Sequence, residues 1–270
     1  MIKVESVSFK YKNTDNKVLD NLNFEVEDGE VIAIVGENGS GKSTIGKLIA
    51  GILKLKHGNI TIDGEDINNN KNIQDKVGIV FQNPENQIIF SSIYDELAFS
   101  LKGLDKDEIE DRINKSLEEV GMLKYKNENL YNLSLGQKQR IMIAEILAKK
   151  PKILVLDEPT TMIDSKGKDS IYKIIENLKK EGYTIICITN LAGEILIADR
   201  TLILSDGKIV SEIKKEELVE KADILKKYDI KQPMFLELLT KLKDSGISLD
   251  MKDFTVEELV SKLGEMINHE

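Results

Sequence analysis

Gly36-Glu37-Asn38-Gly39-Ser40-Gly41-Lys42-Ser43 follows directly on the apolar run Val31-Ile32-Ala33-Ile34-Val35. The spacing is G-x-x-x-x-G-K-[ST], set between a strand pattern and a helix pattern, which is a phosphate-binding loop. Glycines let backbone N–H groups close around an oxyanion where a Cβ would block the approach. Lys42 is placed to reach the terminal phosphates, and the Ser43 hydroxyl to ligate Mg²⁺. The helix that follows points its positive end at the anion. The competing reading, an ordinary glycine turn, leaves Lys42 and Ser43 without a reason. The loop therefore predicts a bound nucleoside triphosphate.

The rest of the composition bounds the class. The chain has 270 residues, of which 41% are hydrophobic, enough for a sizeable core. No apolar stretch approaches a membrane span, and the first residues alternate like a strand rather than a signal peptide. A cytosolic chain is expected. Cys187 is the one cysteine, so no internal disulfide forms, and its apolar neighbours predict a buried thiol. The net charge is −9 with acids and bases interspersed, which argues against a nucleic-acid partner.

Outward from the loop, residues 1–35 read as β-rich, and Asn59-Ile60-Thr61-Ile62 as a further short strand. Ile109, Ile113, Leu117 and Val120 have helical spacing within a mostly helical stretch from about 91 to 150. Ile153–Leu156 and Ile185–Ile188 read as buried parallel strands, with a helix through Ile171, Ile174, Ile175 and Leu178 between them. Asp206-Gly207 predicts a hairpin. The alternation predicts an α/β core whose ligands bind beyond the carboxyl ends of the strands. Val35, Leu156 and Thr189 mark three such ends. After about residue 215 the chain turns to charged helix. Phe235, Leu238, Leu239 and Leu242 form one apolar stripe, and Thr255 with Glu258 a capping box. These stripes read as packing surface.

Beyond Leu156 comes Asp157-Glu158-Pro159-Thr160. A carboxylate at a strand end beside a phosphate loop can hold Mg²⁺, and the next acid can serve as general base toward water. The alternative is that both acids cap a helix. Gln82, after the apolar Val77–Phe81, could touch both metal and water; alone it decides nothing. Leu133-Ser134-Leu135-Gly136-Gln137 carries capping-box spacing, which exposes a helix N-terminus able to receive phosphate. Taken alone, an ordinary capped helix is the better reading.

Taken in order, Gly36–Ser43, Gln82, Leu133–Gln137 and Ile153–Glu158 resemble an ATP-binding cassette (ABC) ATPase. The resemblance covers roughly residues 1–215. It implies a P-loop NTPase with a RecA-like core, an antiparallel β subdomain and a helical signature subdomain (about 91–150), with 216–270 as a small helical extension. It implies ATP and Mg²⁺ as the bound pair. Gly36, Glu37, Asn38, Gly39, Ser40, Gly41, Lys42, Ser43 and Thr44 would hold the nucleotide, with Tyr11 stacked on adenine or else merely packed. Ser43, Gln82 and Asp157 would hold the metal, and Glu158, Gln82 and Asn190 would act in hydrolysis. Ser134, Gly136 and Gln137 would be the signature motif reaching ATP on a second subunit, with Asp164 coupling the two sites.

Val80-Phe81-Gln82-Asn83-Pro84-Glu85-Asn86-Gln87, Gly121-Met122 and Thr161-Met162-Ile163-Asp164-Ser165-Lys166-Gly167 resemble more closely the energy-coupling-factor (ECF) and cobalt-transporter branch. That branch implies a motor subunit at the cytoplasmic face of the membrane. Its partners would be a second ATPase, a transmembrane coupling protein and a substrate-binding membrane subunit for a vitamin or metal ion. Gln82–Gln87 would line the groove for the coupling protein, or else form a solvated loop. Two departures stand out. The third signature position, usually glycine, is Leu135, which adds bulk. The position that usually holds a histidine against the γ-phosphate is Asn190, which cannot carry charge. A lost charge-assisted contact is worth about 1.5–3 kcal/mol, on the order of ten- to a hundred-fold in rate. Asn190 could also be a tolerated polar substitute. The departures favour one half of an asymmetric heterodimer over a homodimer. They also leave open a weakly hydrolysing regulatory subunit. A soluble ABC protein acting on DNA or ribosomes fits the acidic balance poorly.

Overall fold

The computed structural model describes residues 1–12, 16–69, 72–247, 249–251 and 254–268. The strands among the described residues are β1 Ile2–Phe9, β2 Leu19–Val26, β3 Val31–Val35, β4 His57–Ile62, β5 Glu65–Asp66, β6 Val77–Val80, β7 Ile153–Asp157, β8 Thr184–Ile188, β9 Arg200–Ser205 and β10 Lys208–Lys214. They make an antiparallel sheet ordered β2-β1-β4-β5 and a six-stranded sheet ordered β10-β9-β3-β8-β7-β6. In the larger sheet β9, β3, β8, β7 and β6 pair parallel, and β10 closes one edge antiparallel to β9 through the predicted hairpin. The result is the expected α/β core with a separate antiparallel layer.

The helices are α1 Lys42–Ile49, α2 Ile73–Lys76, α3 Ile93–Ser100, α4 Lys106–Glu119, α5 Leu135–Ala148, α6 Ser165–Lys180, α7 Ala192–Ile197, α8 Ala222–Lys227, α9 Met234–Asp244 and α10 Val256–Asn268. Successive side chains of β3 point to opposite faces. Ile32 and Ile34 join Ile45, Leu48 and Ile49 of α1 and the inward face of the antiparallel sheet, including Ile2, Val4 and Ile60. Val31, Ala33 and Val35 join Ile141 and Ala144 of α5 and Ile171 and Ile175 of α6. Both faces are covered, so β3, β7 and β8 are apolar at nearly every position. Cys187 is fully buried on β8, as expected.

The C-terminal helices share this second layer. Leu218, Leu225, Ile230, Leu236 and Leu239 belong to the same cluster as Val31 and Ile171. The face of α9 is rotated from the expected stripe. Leu236 and Leu239 are buried while Leu238 is 44% exposed, because the core selects one of two apolar faces that α9 offers. At α10, Thr255 Oγ1 accepts from Glu258 N at 3.2 Å, and the Glu258 carboxylate accepts from Phe254 N at 3.0 Å. No helix among the described residues is long and apolar enough to cross a membrane.

Candidate functional site

β3, β8 and β7 are parallel neighbours, so their carboxyl ends open on one edge of the sheet. The phosphate loop leaves β3 at Val35, Asp157 ends β7, and Asn190 follows β8. The loop passes so close to β9 that a Cβ at Gly36 would lie 2.0 Å from the Leu204 carbonyl oxygen. Gly41 takes φ 106 as N-cap of α1, and a Cβ there would meet Leu19 Cδ2 at 2.6 Å. Only glycine fits either position. Lys42 folds back over the loop, its Nζ donating to the carbonyls of Gly36 at 2.7 Å and Glu37 at 2.9 Å. Burial holds this ammonium below its ordinary pKa, opposed by the Glu158 and Asp157 carboxylates. A cation so placed gains from a polyphosphate. Ser40 Oγ is buried without a partner, a donor left over in the same loop.

The Ser43 hydroxyl donates to Asp157 Oδ1 at 2.9 Å. Burial pushes the Asp157 carboxyl above its usual range; the Ser43 hydrogen bond opposes this and the Glu158 charge adds to it. One hydroxyl beside one carboxylate is a fitting protein share of a Mg²⁺ site whose remaining ligands are phosphate and water. The helix-cap alternative for Asp157 and Glu158 fails, since α6 begins at Ser165 and is capped by Asp164, which accepts from Gly167 N at 2.8 Å. Glu158 instead sits at φ 52, in the left-handed region that costs a non-glycine residue about 1–3 kcal/mol. Its N–H donates to Ile188 O at 2.7 Å, and its Oε2 accepts from Gln82 Nε2 at 2.6 Å and from the Thr161 hydroxyl at 3.2 Å.

Tyr11, Val18, Asn38, Gly39, Gly41, Lys42, Ser43, Thr44 and Glu158 line a cavity of about 320 Å³. Tyr11 stands at its rim, edge-on to Phe9 with ring centroids 5.1 Å apart, its hydroxyl 3.1 Å from Thr44 Oγ1. Asn190 Nδ2 donates to Asn38 Oδ1 at 2.9 Å, so the loop after β8 touches the phosphate loop. Its Oδ1 is buried without a partner.

A sequence profile of the ABC transporter family matches residues 19–161. The chain belongs to the ABC transporter family. As an ABC ATPase it binds and hydrolyses ATP. It is 40% identical over 97% of its length, and 95% of the relative's, to energy-coupling factor transporter ATP-binding protein EcfA1 of Ligilactobacillus salivarius. It is 37% identical over 99% of both chains to EcfA1 of Oenococcus oeni. Among solved structures it resembles cbiO1 from Clostridium perfringens, part of the ABC transporter complex cbiONQ, with TM-score 0.76, 32% identity, and 88% of this chain and 98% of that one covered. A dimeric cassette, MJ0796, bound to ADP and phosphate matches at TM-score 0.72 and 30% identity, covering 80% of this chain and 99% of the other.

The cassette does not bring every expected site residue into one cavity. Ser134, Gly136 and Gln137 open α5, with Ser134 exposed, and none of the three lines this cavity. Their capping box is complete, Ser134 N donating to Gln137 Oε1 at 2.9 Å and Gln137 N to Ser134 Oγ at 3.4 Å. Leu135 is the first residue of α5 and half-buried. Asp164 lies beside this helix start, since Gly136 and Gly167 approach so closely that a Cβ on Gly136 would lie 3.5 Å from Gly167 Cα. Sequence reasoning missed Thr161, which shares the Glu158 carboxylate. It also missed Lys138, a buried lysine of α5 that pairs with Glu85 at 2.6 Å. A lysine in the predicted helix gave no sign that its partner lay 53 residues upstream.

Proposed function

We propose that this cassette is the ATP-hydrolysing motor of an energy-coupling-factor importer, powering uptake of a vitamin or metal ion. The observation that carries this reading is similarity to EcfA1 across 97% of the chain, which takes in most of residues 216–270 as well as the cassette. The two-part division, 1–215 and 216–270, is part of the proposal. Gly36 to Thr44 hold the nucleotide phosphates, and Tyr11 offers its exposed ring to adenine. Ser43 and Asp157, with Gln82, hold Mg²⁺, which supplies charge to neutralise the phosphate oxygens. Glu158 orients and deprotonates water as general base. Gln82 restrains its carboxylate and Asn190 reaches from the end of the neighbouring strand. Ser134, Gly136 and Gln137 present an open helix N-terminus to ATP on a second ATPase, with Asp164 between the two sites.

The partners are that second ATPase, different in sequence, a transmembrane coupling protein and a substrate-binding membrane subunit, with the cassette peripheral at the cytoplasmic face. The docking groove lies along Gln82–Gln87. Phe81 N donates to Gln87 Oε1 at 2.9 Å, Phe81 O accepts from Gln139 Nε2 at 3.1 Å, and Glu85 pairs with Lys138. The groove is thereby tied to the base at one end and to the signature helix at the other. Closing and opening two cassettes rocks the docked protein through these ties.

The test is purification of the tagged chain from its native membranes, followed by ATP-driven uptake in vesicles. A second ATPase and a hydrophobic protein should accompany it; a soluble assembly carrying RNA or DNA would contradict the reading. Asn190 and Leu135 favour a second reading, a regulatory subunit with little turnover. Single-turnover hydrolysis by the purified pair separates the two.

A further inference from the structure

Glu194 is an acid in the core, fully buried on the short helix α7. Among the described residues no cation lies within ion-pair distance of it. Its carboxylate is held by hydroxyls instead. Thr160 donates to Oε1 at 2.5 Å and Tyr172 to Oε2 at 3.4 Å. Gly193 makes room for this, since a Cβ there would lie 2.2 Å from the Tyr172 ring. Burying a carboxylate without a cation is costly, so its retention calls for a reason.

The partners supply one. Thr160, fully buried, stands two positions after Glu158, and Glu194 four positions after Asn190. The chain ends of β7 and β8 are already stitched by Glu158 N to Ile188 O. The Thr160–Glu194 bond adds a side-chain stitch between the segment after β7 and the helix after β8. Glu158 occupies a strained left-handed conformation, which persists only where surrounding contacts over-determine it.

We propose that Glu194 is a positioning residue for ATP hydrolysis: through Thr160 it locks the segment bearing Glu158 to the helix that follows Asn190, so that base and phosphate contact keep one geometry. The inference rests on Glu158 being the base. It makes Thr160 the linking hydroxyl, and Tyr172, at 3.4 Å, a minor partner.

The experiment measures ATP hydrolysis and ATP affinity of the purified transporter complex carrying T160V, T160S, E194Q or Y172F. A misplacement of the base lowers kcat by about ten- to a hundred-fold with KM within about two-fold, expected for T160V and E194Q. T160S keeps the hydroxyl and should restore kcat, and Y172F should change little. E158Q and E158Q/T160V should be equally inactive, because both act on one step. Rates are taken per nucleotide-binding site, so a loss of folded protein does not register. T160V and E194Q with undiminished kcat, or T160S as impaired as T160V, would overturn the proposal. Normal hydrolysis by E158Q would instead overturn the assignment of the base.

Discussion

Gln82 Nε2 donates to Glu158 Oε2 at 2.6 Å, joining the second residue after β6 to the first residue after β7. The bond fixes the base on the cavity side and connects it to the segment that leads to Glu85 and Lys138. Gln82→Ala should lower hydrolysis by about ten-fold or more, while ATP affinity stays near that of the unmodified protein. Equal rates in a steady-state ATPase assay would show that the amide does not orient the base.

Asn190 replaces a charge with a neutral amide, and that amide is bonded to Asn38 of the phosphate loop. Asn190→His should raise turnover on the order of ten-fold or more. The gain should be larger at pH 6 than at pH 8, because imidazole carries its charge below about 6.5. Parallel rate measurements at the two pH values check this, and no gain would show that the missing histidine does not limit the reaction.

The parts read correctly from sequence were those whose cause is local. The phosphate loop, its strand and its helix are contiguous, so spacing alone carried the chemistry. The capping box at Ser134 and Gln137 and the hairpin at Asp206-Gly207 were legible for the same reason. What was hidden depends on distant chain. Asn190 meets Asn38 across 152 residues, and Thr160 meets Glu194 across 34. Glu194 drew no reading from the sequence, because its burial and its partners are set by distant chain. On α9, apolar residues occur on two faces, and only the core decides that Leu236 is buried and Leu238 exposed.

Gly36→Ala should abolish nucleotide binding. The new methyl would lie 2.0 Å from Leu204 O, and β9 cannot retreat without breaking its pairing with β3. Fluorescent-nucleotide titration should find no saturable site. Tight binding by this variant would mean that the loop adopts a different path from the one described.

Glu145 of α5 supplies a pH dependence of stability. Burial, with Glu96 adding and Lys149 opposing, pushes its carboxyl up to about 7 from 4.5. The folded chain therefore keeps a proton that the unfolded chain releases, and stability falls as pH rises from about 4.5 through 7. Glu145→Gln removes the penalty, so it should stabilise the protein by roughly 3 kcal/mol at pH 8.5 and by under about 1 kcal/mol at pH 5. Denaturant unfolding at the two pH values should show the difference; an equal effect at both would place the carboxyl in solvent.

The decisive measurement is hydrolysis and nucleotide retention by Glu158→Gln in the purified complex. Turnover should fall by about a hundred-fold or more, and ATP should remain bound after gel filtration in a closed pair of cassettes. Undiminished hydrolysis by that variant would contradict the catalytic site at the end of β7.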